Sequence, residues 1–264
     1  MTPAAVTTAF ARLHHGDEPL LLPNAWDHAS AAAFAAQGFP AVGTTSLAVA
    51  AAAGVPDGAS VTRDETLRLA LTLGRGPFLL TVDAEGGFAQ DPDAVGELAR
   101  QLFAVGAVGI NLEDGLGSVP LHAAKIAAVK KAAPTLFVNA RTDTHWLGDG
   151  DDRDTRRRLD AYRQAGADGV FVPGLTDPAR IAALTDWLDV PLNILWSPDG
   201  PSLPRLADLG VRRVSLGSLP YRRALGAAVE AVAAVRAGRV PGGATPTYED
   251  VQASASPGQC SRAT

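Results

Sequence analysis

Short apolar runs alternate with Ala-rich stretches along the chain. The runs lie at Leu20–Pro23, Ala41–Thr45, Phe78–Val82, Val108–Leu112, Leu136–Asn139, Gly169–Val172, Pro191–Ile194 and Arg213–Leu216, and each reads as a buried strand. Between them, segments near 27–37, 62–75, 92–105, 121–132, 152–165, 177–186, 203–209 and 220–236 carry apolar residues at helical spacing. Gly38, Gly106, Gly166 and Gly210 each follow a helical segment, where a left-handed residue ends a helix. Eight strand–helix units in 264 residues predict an α/β fold, a (β/α)8 TIM barrel forming a single domain over 1–237. A doubly wound sheet is the alternative, although eight strands without a switch point would make it a long one. The linker 48–61 is longer than a simple strand-to-helix loop, and such loops carry function or form a lid. From Gly238 the chain turns rich in Gly, Pro and Ser, so 238–264 is expected to be a flexible tail or to pack on a partner subunit.

A barrel places its reacting groups where strands end and the following loops begin. The third run ends in Asp83 and Glu85, the fourth in Glu113 and Asp114, and the fifth in Arg141 and Asp143. The seventh carries Asn193. Asp83 and Glu113 are 30 residues apart, and Glu113 and Arg141 are 28 apart, about one unit in each case. Several carboxylates cannot all ionise in a confined site without a compensating cation. A hard divalent ion supplies one, and Mg²⁺ (or Mn²⁺) suits oxygen ligands shared with a substrate. Asp83 is the expected direct ligand, with Glu85 and Glu113 acting directly or through water. Arg141 is expected to grip the anionic end of a substrate with two N–H groups. Taken singly, Asp27, Asp57, Asp114 and Asp143 suit ordinary work as helix N-caps or ion pairs. Asp83, Glu113 and Arg141 at matching places in successive units favour a site.

Composition narrows the class. A net charge of −5 and no long basic block give nucleic acid nothing to bind. The single cysteine, Cys260, excludes a disulfide framework within one chain and fits a reducing cytoplasm. No basic stretch followed by an apolar core opens the chain, so export is not expected. Gly, Pro and charged residues interrupt every apolar stretch, so no membrane span is expected. The five histidines show no zinc spacing. His122 suits a surface position at a helix start, and His145 and Trp146 suit loop packing. Tyr162 and Trp187 suit packing positions on helices, and 153-RDTRRR-158 suits a solvated or inter-subunit basic face. In 215-SLGSLP-220, Ser218 is a simpler N-cap than phosphate cradle.

Several of these stretches together resemble the isocitrate lyase/phosphoenolpyruvate mutase superfamily. The match runs through 22-LPNAWDHASA-31, 43-GTTSLAVAAAAGVPDG-58, 82-VDAEGGF-88, 110-INLEDG-115 and 138-VNARTD-143, then more weakly through 193-NILWSP-198 and 210-GVRRVSLG-217. The resemblance implies a barrel that binds Mg²⁺ and a small 2-oxo carboxylate or its enolate. It implies Asp83, Glu85 and Glu113 as metal-binding acids, with Glu85 longer by one methylene than the Asp of some members. It implies Asp57 as an acid near the substrate, backbone contacts from Ser46 and Leu47, and side-chain contacts from Arg141 and Asn193. It further implies a homo-oligomer, dimer or tetramer, with the last barrel helix exchanged between subunits. The family's lyases carry a lid cysteine after the fourth strand, but 115-GLGSVPLHAAKI-126 has none and is short. A Mg²⁺-dependent lyase acting on a 2-oxo or 2-hydroxy di- or tricarboxylate is therefore expected. A phosphorus–carbon enzyme and a 2-oxo acid binding protein without catalysis are the alternatives.

Overall fold

A computed structural model describes residues 8–254. The strands are β1 Leu20–Leu22, β2 Asn24–Ala25, β3 Ala41–Thr44, β4 Leu79–Asp83, β5 Ala107–Glu113, β6 Phe137–Arg141, β7 Gly169–Phe171, β8 Leu192–Leu195 and β9 Arg213–Ser215. The helices are α1 Ala9–Arg12, α2 His28–Ala36, α3 Ser46–Ala53, α4 Arg63–Leu73, α5 Pro92–Ala104, α6 Val119–Ala132, α7 Asp152–Gln164, α8 Pro178–Thr185, α9 Leu203–Asp208, α10 Leu219–Arg236 and α11 Tyr248–Ser254. All nine strands are parallel, in the order β1-β9-β8-β7-β6-β5-β4-β3-β2. β1 and β2 are one stave broken at Pro23. β1 pairs with β9 and β2 with β3, so the stave joins the last strand to the second and closes the ring. Proline has no N–H to give a ladder, which suits the point where a strand changes neighbours. Strand order otherwise follows the chain without reversal, so the doubly wound alternative is set aside.

Local chemistry places the helix starts. Asp27 accepts from Ser30 N at 2.8 Å and donates its own N–H to Ser30 Oγ at 3.2 Å, a reciprocal cap for α2. Asp91, Ser118, Asp177 and Ser202 cap α5, α6, α8 and α9, each with proline in the first turn. The cap at Ser118 starts α6 two residues before the position expected from periodicity.

Two expectations change. The linker 48–61 begins inside a helix, because Ser46–Ala53 meets no glycine or proline until Gly54, which ends α3 in the left-handed region at φ 71°. The segment after Gly238 is not featureless, because Tyr248–Ser254 forms α11 and lies against α2. Residues 255–264 of the expected tail, including Cys260, lie outside the described residues. Among the described residues no helix is long and apolar enough to cross a membrane.

Helix α1 was not foreseen, and it plugs the N-terminal end of the barrel. Phe10 is fully buried and meets Phe137 edge-on at 5.4 Å, while His14 stacks on Phe137 at 4.4 Å. A Cβ on Gly109 would lie 2.8 Å from the Phe10 ring, so β5 needs glycine there. His14 Nδ1 pairs with the Phe10 carbonyl at 3.0 Å. Burial, with Arg213 nearby, pushes His14 down to about 3. A histidine held neutral in the fold protonates more readily when unfolded, so its share of stability is full above pH 6.5 and is lost as pH falls toward about 3. His14→Leu should therefore gain on the wild type in urea unfolding as pH drops from 7 to 4, by about 3 kcal/mol at the acid end. A wild-type-to-variant difference that does not change with pH would overturn this assignment.

Candidate active site at the barrel mouth

The C-terminal ends of the strands surround a cavity of about 250 Å³. Ser46, Asp57, Asp83, Asn111 and Arg141 supply its polar wall, and Trp146, Phe171 and Trp196 its aromatic wall. The first element to shape it is the junction of β3 and α3. Thr45 stands at the N-cap of α3 without a side-chain cap bond. Ser46 N donates instead to Asp83 Oδ2 at 3.1 Å, and Asp83 N donates to Thr44 Oγ1 at 2.9 Å. The positive end of α3 thus faces the mouth, where it favours negative charge. Asp83 Oδ1 is buried and has no partner among the described residues.

Beyond Asp83 the chain turns through three left-handed residues, Glu85 at φ 46°, Gly87 at φ 86° and Phe88 at φ 56°. A Cβ on Gly87 would meet Val95 at 2.7 Å, so this glycine is required, whereas Gly86 has room for one. The turn carries Glu85 away from the mouth. Its Oε1 accepts from Thr62 Oγ1 at 2.6 Å and its Oε2 from Ser60 N at 3.1 Å. Burial raises the Glu85 pKa above the ordinary carboxylate range, and neighbouring Asp83 and Asp57 add to the rise. Lys125 Nζ steadies the turn by donating to the Gly86 carbonyl at 2.8 Å.

Glu113 ends β5 and Arg141 ends β6, and the register places them side by side. Arg141 Nη1 lies 2.8 Å from Glu113 Oε2, and its Nε donates to Asp143 Oδ1 at 2.7 Å. Its Nη2 has no acceptor among the described residues. Burial pushes Glu113 up to about 8 against the pull of Arg141, and Asp83, Asp143 and Glu85 add to the rise. Glu113 borders a neighbouring hollow of about 380 Å³, shared with Ser60, His122 and Lys125, rather than the mouth cavity itself.

The structure therefore brings Ser46, Leu47, Asp57, Asp83 and Arg141 to one cavity, sets Glu113 in the hollow beside it, and leaves Glu85 turned onto Ser60 and Thr62, within electrostatic reach of Asp83 and Asp57. Among the described residues no three His, Cys, Asp or Glu side chains are grouped to hold a metal ion. Each acid has turned to its own protein donor. The residues nevertheless fit a divalent cation. Asp83 presents a buried carboxylate oxygen without a partner, and burial together with neighbouring acids raises Glu85 and Glu113. Asn193 lies one layer lower than expected, bonded to Ser215 Oγ at 3.0 Å and absent from the cavity wall.

Asp114 organises the scaffold behind Glu113. It accepts from Tyr162 Oη at 2.7 Å, Arg158 Nη1 at 3.0 Å, Thr142 Oγ1 at 2.9 Å, Leu116 N at 3.0 Å and Asp143 N at 3.1 Å. Burial would raise its pKa, but these hydrogen bonds carry it below the usual range. Tyr162 is thus more than a packing residue, and Arg158 turns inward from the helix expected to be a solvated basic face. His122 is buried against Tyr162 rather than on the surface, and burial pushes it down to about 4. Trp146 lines the mouth. Ser218 stands at the N-cap of α10, but its side chain accepts from Arg222 Nε at 3.2 Å instead of capping the helix.

Sequence reasoning missed Asn111, Asn139 and Arg213, which face the barrel interior. The signal was a polar residue inside or at the end of the runs at 108–112, 136–139 and 213–216, at positions the ladder pairs across neighbouring strands. Tyr162→Phe removes one donor from a buried carboxylate and should cost about 1.5–3 kcal/mol in urea unfolding. Unchanged stability would show that Asp114 does not depend on this bond.

Residues 10–236 match the family described as phosphoenolpyruvate phosphomutase. An uncharacterized protein of Mycobacterium tuberculosis is 44% identical over 250 residues, covering 93% of this chain and 95% of the relative. An oxaloacetate decarboxylase of Bradyrhizobium sp. is 31% identical over 212 residues, covering 74% of this chain and 73% of the relative. A crystal structure from Burkholderia cenocepacia, provisionally named a lyase/mutase, superposes with a TM-score of 0.85 at 35% identity, covering 94% of this chain and 95% of that one. The chain belongs to the phosphoenolpyruvate phosphomutase family, within the isocitrate lyase/phosphoenolpyruvate mutase superfamily of carbon–carbon lyases and related enzymes.

Proposed function

We propose that this protein is a Mg²⁺-dependent lyase that cleaves or decarboxylates a small 2-oxo or 2-hydroxy di- or tricarboxylate through an enolate intermediate. The observation that carries the reading is the meeting at one small cavity of Asp83, whose Oδ1 is buried without a partner among the described residues, and Arg141, whose Nη2 has no acceptor among them. An unpartnered carboxylate oxygen suits a divalent cation, and a guanidinium suits a carboxylate. Asp83 would hold Mg²⁺ (or Mn²⁺), with Glu85 and Glu113 acting directly or through water. When bound, the ion supplies positive charge to the oxygens of a 2-oxo acid. Arg141 and the open end of α3, at Ser46 and Leu47, would bind the substrate carboxylate. Asp57, exposed on the rim, would stand beside it, and Asn193 would act through Ser215.

The segment after β5 holds no cysteine, so it cannot supply a thiol proton to a departing enolate. Loss of carbon dioxide from a 2-oxo dicarboxylate needs no thiol to break its carbon–carbon bond, and this favours decarboxylation within the lyase reading. Purified protein with Mg²⁺ should turn over at least one of oxaloacetate, isocitrate, 2-methylisocitrate or 2,3-dimethylmalate. EDTA should abolish the activity, and Asp83→Asn or Arg141→Lys should lower kcat/KM by about 100-fold, roughly 3 kcal/mol of transition-state binding. Phosphonopyruvate, followed by phosphorus NMR, tests the phosphorus–carbon alternative in the same series. No metal-dependent turnover or binding of any of these acids would sink the proposal.

The reading includes a homo-oligomer, dimer or tetramer, with α10 exchanged between subunits, in the cytoplasm that a single cysteine suits. Residues 222–230 of α10 are all exposed. Leu225, Val229 and Val232 are 53%, 63% and 70% exposed, at spacings that align them on one face. An apolar stripe of this kind suits burial against a second copy. Leu225→Glu with Val229→Glu should shift the mass seen by light scattering to that of a monomer. A wild type that is already monomeric would refute the assembly.

A further inference from the structure

Beneath the mouth, the barrel interior holds a guanidinium with no carboxylate partner among the described residues. Arg213 is 0% exposed, and its Nη1 is buried with no acceptor among the described residues. Its Nε donates to Ser215 Oγ at 3.2 Å and its Nη2 to Asn111 Oδ1 at 3.1 Å. Burial pushes the guanidinium down to about 9, so it remains a cation at neutral pH, with Asp83 as the carboxylate whose charge it feels. An unpaired buried cation costs stability, so its presence points to a role other than holding the fold together.

The two residues it grips both line the mouth cavity. A guanidinium has only donors, so the Asn111 atom facing it is the amide oxygen. Asn139 Nδ2 donates to the same oxygen at 2.9 Å. With Oδ1 taken twice, Asn111 is left with an NH₂ group that has no acceptor among the described residues. Asn111 also pairs with Asp83 across β4 and β5, which sets it beside the carboxylate of the mouth. Ser215 Oγ accepts from Arg213 Nε at 3.2 Å and from Asn193 Nδ2 at 3.0 Å, and its own hydroxyl donates to Asn193 Oδ1 at 3.3 Å. Acceptors on the floor are thus occupied from below, and a donor is left at the cavity.

We propose that Arg213 is a positioning residue of the mouth, setting Asn111 and Ser215 from beneath so that the floor offers an amide N–H to an oxygen of a bound carboxylate or 2-oxo group. The ligand class rests on the reading of the mouth as a 2-oxo acid site, while the positioning of Asn111 stands on the hydrogen bonds alone. The test compares wild type, Arg213→Met, Arg213→Lys, Asn111→Ala and the Arg213→Met/Asn111→Ala double variant. Oxalate with Mg²⁺ is the probe, read by calorimetry alongside Tm. Arg213→Met should melt no lower than wild type, because it removes an unpaired buried charge, yet bind oxalate about tenfold more weakly. Asn111→Ala should lose a similar amount, and the double variant no more than either single, because both act through one donor. Arg213→Lys keeps the charge without the fork and should recover only part of the affinity. Additive losses, or wild-type binding by Arg213→Met, would overturn the proposal. Should the wild type bind no oxalate, the 2-oxo acid reading of the mouth falls instead. A crystal structure of Arg213→Met then decides the positioning role: an Asn111 amide in its original orientation overturns it, and a turned amide supports it.

Discussion

Parallel strands that end together bring their terminal side chains together, and in this barrel several of those side chains are acids. Arg141 makes the arrangement tenable. Its guanidinium spans Glu113 on one side and Asp143 on the other, with both carboxylates largely removed from water. Burial and the neighbouring acids still push Glu113 up to about 8, so one arginine does not neutralise the group. The remaining acids are accommodated by separate donors. Glu85 folds onto Thr62 and Ser60, Asp83 takes the first amide of α3, and Asp114 gathers hydrogen bonds from five groups. Without these distributed donors the strand ends would repel one another apart.

The interior is layered along the barrel axis, and each layer prepares the next. Phe10, His14 and Phe137 seal the bottom with an apolar plug. Above them Arg213, Asn111, Asn139, Asn193 and Ser215 form a polar floor whose hydrogen bonds run from one strand to another. The charged rim of Asp83, Glu113 and Arg141 comes last. A donor-rich floor beneath an acid-rich rim is a polarised cavity. It suits a ligand that carries oxygen acceptors at its deep end and shares a cation with the rim.

Much of the barrel could be read from the chain. Each apolar run became a strand, because alternating apolar runs and amphipathic stretches have few other ways to bury their surface. Asp83, Glu113 and Arg141 were visible as strand-end residues one unit apart. The direction in which each side chain turns was not visible. Glu85 stands two residues after Asp83 in the sequence, and a left-handed backbone at its own position turns its carboxylate onto Thr62. Arg158 looked solvated within a basic run, but Asp114, 44 residues away, draws it inward. The N-terminal plug escaped notice because its partners, Gly109 and Phe137, belong to strands far along the chain.

The sequence by itself determined the strand–helix alternation, the positions of most caps and the acids and arginine that end the strands. These depend on local periodicity and on side-chain chemistry within a few residues. Tertiary structure alone decided which acid receives which donor, which amide oxygen faces Arg213 and which carboxylate oxygen is left open at the mouth. Those choices depend on groups brought together by closure of the ring, as when Arg213 reaches Asn111 across 102 residues of chain. Hydrogen-bond partners at such separations are set by strand register and backbone turns, which no local pattern encodes.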